Sequence, residues 1–448
     1  MITTSKEKRL KIAIIGTGIS GMSASWLLSL AHDVTIFEKD DRIGGHTNTV
    51  NANGTNVDTG FIVYNEKNYP NLIALFDHFG VDTHETDMSF GVSVGQGDFE
   101  YAGTDAFGML AQKRNFFRPR FWKMVRDILR FYKEAPDLLA MDQMPNITLG
   151  EFLKQNNYSE SFQRDHLLPM GAAIWSTPVD TMMDYPLEAF LRFCDNHGLL
   201  QLTDRPKWRT VVNGSCRYID KLTRSYKGNI YLNRGAAKVW HDGGRVNVED
   251  RNGTVEQFDH VVLACHADQA LQMLSDADGA EKKLLSAFEY QPNKAILHTD
   301  KSLMPKNKKA WSSWNYLSEQ INDKNDVCVT YWMNNLQHLK GDTDYFVTLN
   351  PTHMPADGKI IRSFLYHHPL FDREAVAAQR MLWNIQGKRN IWFCGSYFGH
   401  GFHEDGLQSG LAVAEALGGV RRPWMVENES GRINLPADWP TLIKKEAA

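Results

Sequence analysis

Residues 12–45, IAIIGTGISGMSASWLLSLAHDVTIFEKDDRIGG, decide the fold. Ile12 to Ile15 is an unbroken apolar run of the kind buried on both faces of a parallel sheet. Gly16, Gly18 and Gly21 follow at G-x-G-x-x-G spacing. The first permits a tight turn, the second a close approach of pyrophosphate to backbone, and the third close packing of helix on strand. The helix from Ser20 to Leu30 aims its N-terminal N–H groups and positive dipole end at that pyrophosphate, so Ile19 and Ser20 join the cradle. Asp33 to Phe37 reads as the next parallel strand, and Glu38 at its end accepts hydrogen bonds from ribose hydroxyls. An acid there disfavours a 2′-phosphate, which argues against NADP.

The continuation, Glu38-Lys39-Asp40-Asp41-Arg42-Ile43-Gly44-Gly45, has the form E-x-x-x-R-x-G-G, with a second glycine pair beyond the ribose-binding acid. It resembles the FAD signature of the flavin-containing amine oxidase and phytoene desaturase superfamily. Further motifs in the same order support the resemblance: Asp58-Thr59-Gly60, Asn213-Gly214-Ser215 with Tyr218 to Leu222, Asp259 to Ala264, and Ile391 to Leu417. The loop GFHEDGL is similar to that of a bacterial subgroup often encoded beside cyclopropane-fatty-acid-synthase-like methyltransferases.

The resemblance implies an α/β (α+β) protein. A Rossmann-like FAD-binding domain would be assembled from residues 8–75, 205–290 and 385–422, with a discontinuous substrate domain of mixed sheet and helices from 76–204 and 291–384. It implies FAD contacts from Lys39, Arg42, Gly44, Gly45, His46, Ala236, Gly395, Ser396, Asp405, Gly406 and Leu407. Three positions depart from the family pattern. His46 replaces an arginine, Ser396 and Tyr397 stand where an acid usually holds the ribityl chain, and Ala236 replaces a valine whose backbone meets adenine. No cysteine matches a site of covalent attachment, so the resemblance implies non-covalent FAD. It also places Lys294 where amine oxidases hold a water against the flavin, and Phe402 as an aromatic wall over it. His403 is a candidate proton carrier. The H-x-x-H of His400 and His403 has no obvious further ligand, so no metal is expected.

Composition bounds the rest. A chain of 448 residues with net charge −4 does not look like a nucleic-acid binder. Five scattered cysteines, with no C-x-x-C pair, fit a reducing cytoplasm. The polar N-terminal arm has no apolar h-region, so no signal peptide is expected, and no apolar run is long enough for a membrane-spanning helix. Nothing sets an oligomeric state.

Between the FAD motifs the middle block, NIYLN through TVEQFDHVVLA, reads as an antiparallel meander feeding a parallel strand. The segment 76–204 reads as mainly helical, and 291–384 as strand-rich. Residues 107–133 carry eight Lys or Arg against one acid, Asp127, among many aromatics. Two readings stand: an amphipathic helix with a solvated basic face, or a segment resting on anionic lipid. For function, an FAD-dependent oxidase or desaturase removing hydride from a C–H bond of an apolar substrate, a small molecule or acyl lipid with a fatty acyl chain foremost, competes with a true amine oxidase and with a flavin mutase. A non-redox lipid carrier on the same scaffold, as in Rab GDP-dissociation inhibitors, is countered by the intact phosphate-binding glycines.

Overall fold

The computed structural model describes residues 9–103, 106–141, 143–175, 180–201, 205–318, 328–437 and residue 439. The polar arm before residue 9, on which the signal-peptide reading rests, lies outside them.

Lys11–Ile15 is the central strand of a five-stranded sheet ordered Asn229–Tyr231, Asp33–Phe37, Lys11–Ile15, His260–Leu263, Ile391–Phe393. Every pairing in it is parallel. Ile12, Ala13 and Ile14 are fully buried, because helices cover one face of the sheet and the antiparallel meander the other, so an apolar residue suits either side of the pleat. All five strands end on one edge, so Gly16, Glu38, Ala264 and Gly395 arrive side by side. Strands far apart in the chain become neighbours, as Ile12 paired with His260 shows.

One sequence expectation changes here. Asn229–Tyr231 leaves the proposed meander and extends the parallel sheet beside Asp33–Phe37. The meander keeps three strands, Ala236–Asp242, Arg245–Asp250 and Val255–Phe258.

A second sheet of seven strands faces the open edge. Its order is Ile360–Pro369, Tyr290–His298, Phe346–Leu349, Cys328–Trp332, Trp314–Ser318, Phe90–Val94, Phe99–Ala102. It is antiparallel except where Trp314–Ser318 meets Phe90–Val94. The last two strands belong to the stretch read as helical. Beyond them that stretch is helical, and its longest helix is Pro119–Leu139. Pro119 suits the first helical turn, where a missing N–H costs nothing. Phe121, Met124, Ile128, Phe131 and Ala135 recur at three- and four-residue spacing and are buried. The outer face shows Trp122, Lys123, Arg126, Leu129 and Lys133.

Among the described residues no helix is long and apolar enough to cross a membrane.

Candidate active site

A cavity of about 1440 Å³ runs from the open edge of the parallel sheet to the seven-stranded sheet. At its nucleotide end Gly16 has φ +108°, and a Cβ there would lie 2.5 Å from the Ala264 carbonyl oxygen. A Cβ on Gly21 would lie 2.1 Å from the Gly16 oxygen, so the helix Ile19–Leu28 rests directly on the first turn. A Cβ on Gly18 would meet nothing within 4 Å, because that position faces the cavity. Ile19, Ser20, Lys39, Arg42, Gly45, His46 and Ala236 also line it. Glu38 is buried. One carboxylate oxygen accepts from the Thr17 N–H at 3.0 Å and from the Thr17 hydroxyl, and the other from the Asp40 N–H at 2.9 Å. Arg42 lines the wall while its guanidinium holds the Thr47 and Gly45 carbonyls at 3.1 and 2.7 Å. Gly44 stands behind the wall and donates to Thr17 Oγ1 at 3.1 Å.

The last block supplies Gly395, Ser396 and Gly406 to the lining, but Asp405 and Leu407 do not reach it. Asp405 is turned inward. It accepts from the Phe402 N–H at 2.8 Å and pairs with Arg432 at 2.7 Å, so it caps the helix His403–Gly418 and touches no ligand space. Leu407 is fully buried in the core under that helix. Both corrections have one cause: the helix begins beside the cavity and immediately leaves it. Glu404 accepts from the N–H groups of Asn71 and Leu72 and fastens a neighbouring helix. A Cβ on Gly410 would lie 2.3 Å from the Ser20 oxygen, which is how closely the first and last helices cross.

The three catalytic candidates fare differently. Phe402 lines the cavity, but its ring stacks on Phe193 at 5.1 Å and 23°, leaving no slot for a substrate between them. His403 also lines the cavity. It is stacked on Phe61 at 3.9 Å, and its Nε2 lies 2.6 Å from the Tyr218 hydroxyl. Burial pushes its pKa down to about 3. With Nε2 already engaged by the Tyr218 hydroxyl, it is a positioning residue better than a proton carrier. Lys294 is removed from the site altogether. It is exposed on its strand with Nζ 3.5 Å from Met354 Sδ, while its neighbours Asn293 and Ala295 point inward.

Where the two sheets meet, the structure gathers imidazoles that no local spacing announces. His46 lies 5.7 Å from His368 and 6.1 Å from His266, and His266 stacks on Tyr290 at 4.4 Å and lies 6.3 Å from His367. All four line the cavity. Burial, followed by the charges of Arg42, His367 and Lys39, lowers His46 to about 4. Burial first lowers His266 and His368 to about 3. These rings are neutral at pH 7, able to donate from one nitrogen and accept at the other. His46 Nε2, His266 Nδ1 and the Tyr397 hydroxyl are buried without a hydrogen-bond partner. Orphaned polar atoms facing an open cradle are what a bound polar cofactor would satisfy, and so the site fits FAD. His46, Tyr397 and Ser396 supply neutral hydrogen-bonding groups where the family pattern has ions.

Beyond this junction the cavity becomes a chamber walled by Met170, Ile174, Leu199, Trp208 and Phe364, among others. Its acids are Glu38, Asp40 and Asp41, all at the nucleotide end, and no carboxylate of a described residue lines the chamber. Two arginines, Arg205 and Arg362, are its charged groups. His166 and His197 add neutral rings, lowered by burial to about 4 and about 3.

Residues 19–335 match the family model for flavin containing amine oxidoreductase. The chain belongs to that family. Its membership makes the cofactor a flavin, and the dinucleotide cradle makes that flavin FAD. A curated relative is the 4,4'-diapophytoene desaturase (4,4'-diaponeurosporene-forming) of Staphylococcus aureus (strain Newman). It is 34% identical over 103 residues, 18% of this chain and 20% of the relative. The chain thus spans about a fifth of that protein in the match. Two solved structures share the fold. A CLA-producing fatty acid isomerase from P. acnes has a TM-score of 0.65 at 17% identity, with 91% of this chain and 98% of that one covered. Putrescine oxidase bound to putrescine has a TM-score of 0.64 at 14% identity, with 92% and 99% covered.

Proposed function

We propose that this family member is an FAD-dependent oxidoreductase removing hydride from a C–H bond of an apolar substrate, a fatty acyl chain, with the FAD held non-covalently. One observation carries the reading: the chamber beyond the cradle is walled mainly by apolar side chains, its charged groups are the cations Arg205 and Arg362, and it offers no carboxylate to an ammonium group. An amine substrate would have to leave its charge unpaired in a water-poor space, at a cost of several kcal/mol. The closed Phe193–Phe402 stack removes the aromatic slot that an amine would enter. A hydrocarbon chain meets no such penalty there.

Bound FAD supplies the hydride acceptor. The chain's own residues do the remaining work. The chamber wall excludes water and aligns the chain. The junction imidazoles His46, His266 and His368, kept neutral by burial, offer hydrogen bonds that position the cofactor and the reacting carbon beside it. Cys265 is the cysteine that lines the cavity, and burial pushes its thiol pKa well up, so it remains a protonated, poor nucleophile, in keeping with non-covalent FAD. Because acyl chains reside in bilayers and the free thiols suit a reducing compartment, we place the enzyme at the cytoplasmic face of the membrane.

An anaerobic titration tests the reading. Free fatty acids or phospholipids bleach the flavin absorbance and alkyl amines do not. Bleaching by amines alone would overturn it in favour of an amine oxidase.

A further inference from the structure

The basic segment 107–133 is sorted by the structure into three kinds of side chain. Five arginines are tied to acids: Arg114 and Arg118 to Asp98 at 3.5 and 2.9 Å, Arg120 to Asp165 at 2.5 Å, Arg126 to Asp127 at 2.9 Å and Arg130 to Glu134 at 2.8 Å. Lys113, Lys123 and Lys133 are exposed and take part in none of these pairs. The apolar face of the helix Pro119–Leu139 is already spent on the core, so the helix cannot lie with that face in lipid.

What remains outside is aromatic. Phe107 is 90% exposed, Phe117 82%, Phe116 51% and Trp122 46%. The ring of Phe116 contacts Phe117 at 5.4 Å and Trp122 at 5.6 Å, and the Trp122 indole N–H donates to the Phe116 carbonyl at 2.7 Å. Arg118 fastens the same turn to the Asp98 carbonyl at 2.9 Å, and Arg114 reaches the Gly97 carbonyl at 2.9 Å. The arginines therefore set the shape of a rigid aromatic wedge, and Lys113 and Lys123 flank it. The chamber reaches this part of the molecule at Gly103 and at Tyr132.

We propose that this wedge seats the protein on an anionic bilayer, with the exposed rings at headgroup level and Lys113 and Lys123 over the lipid phosphates. Aromatic rings flanked by lysines match such a surface in both polarity and charge. The docking would bring the Gly103–Tyr132 end of the chamber to the lipid. That purpose rests on the acyl-chain reading, but the binding itself does not.

The test is sedimentation of the FAD-loaded protein with phosphatidylcholine vesicles, with and without phosphatidylglycerol. Wild type is expected to pellet with the anionic vesicles at low salt and to be released at high salt. A lysine near such a surface is worth about fivefold in partitioning, so Lys113→Glu with Lys123→Glu should weaken binding by at least twentyfold, about two such steps. Phe107→Ser with Phe117→Ser should also abolish pelleting. Both variants should keep wild-type flavin content and melting temperature, since these side chains are exposed. Arg120 is left alone because it neutralises buried Asp165.

Wild type that ignores anionic vesicles, or variants that pellet like wild type, would overturn the proposal. So would a concentration-dependent dimer lost in Phe117→Ser without vesicle binding, which would give the wedge to a second copy of the chain. Vesicle binding without flavin bleaching by acyl substrates sinks the acyl reading and leaves the wedge standing. Bleaching without vesicle binding does the reverse.

Discussion

Glu38 offers its carboxylate already oriented, since Thr17 and the Asp40 N–H hold both oxygens. A ribose that adds hydrogen bonds to a fixed acceptor loses less on ordering than one meeting a free side chain. Glu38→Ala should therefore weaken FAD binding by about 1.5–3 kcal/mol, read from a fluorescence titration of apoprotein. Lys294→Met should leave both FAD affinity and the rate of flavin reoxidation unchanged, as stopped-flow absorbance would show. The buried imidazoles make a prediction about acid. In the folded chain His46 titrates near 4 instead of its ordinary 6.5, so the unfolded chain binds the proton more tightly. The associated stability is complete above pH 6.5 and is lost as pH falls towards 4. On the order of 3 kcal/mol is at stake for that ring. Thermal melts across this window should fall steeply for wild type and less so for His46→Gln. The glycines and Glu38 were legible in the sequence because their chemistry depends on local spacing alone. Lys294 was misread because a strand turns alternate residues to opposite faces, and position in a motif does not say which face is inward. His266, His367 and His368 were missed because only the meeting of two sheets brings them to His46.

Between elements, buried side chains act as rivets. Asp58 accepts from the Ser215 N–H at 3.0 Å, the Ser215 hydroxyl at 2.8 Å and Gln337 Nε2 at 2.8 Å, so two sequence motifs far apart in the chain are one hydrogen-bonded joint. Burial raises the Asp58 carboxyl to about 6, against the pull of these donors. Asp58→Ala would leave several of them unsatisfied in the interior. A loss of about 2–4 kcal/mol in urea unfolding is expected, with Asp58→Asn milder because one carbonyl acceptor remains. The D-x-G and N-G-S motifs were visible in the sequence, but their partnership was not, since neither names its acceptor. The capping pair Asp405–Arg432 shows the same limit. Asp405 reads as a cofactor contact from sequence because its partner Arg432 lies past the last motif, which ends at Leu417.

For the whole molecule, the cradle belongs to the folded state alone, so FAD binding and stability are one measurement. At free FAD a hundredfold above its dissociation constant, the folded chain gains about 2.7 kcal/mol, which should raise the melting temperature. Acid denaturation should release intact FAD into the supernatant, and flavin retained in the pellet would show a covalent link. The α/β class was readable because buried parallel strands leave continuous apolar runs. The grouping of Asn229–Tyr231 was not, because a three-residue strand carries too little pattern to declare its neighbours.

The parallel sheet takes strands from the start, middle and end of the chain, closing with Ile391–Phe393 on the edge of His260–Leu263. During synthesis the first two strands leave the ribosome long before their partners exist, and pairings this distant in sequence form slowly. Cofactor capture must then wait until Ile391–Phe393 has been made. A premature stop upstream of Ile391 yields a chain lacking one wall of its cradle, and a cell short of flavin accumulates finished chains that remain open to proteolysis until loaded.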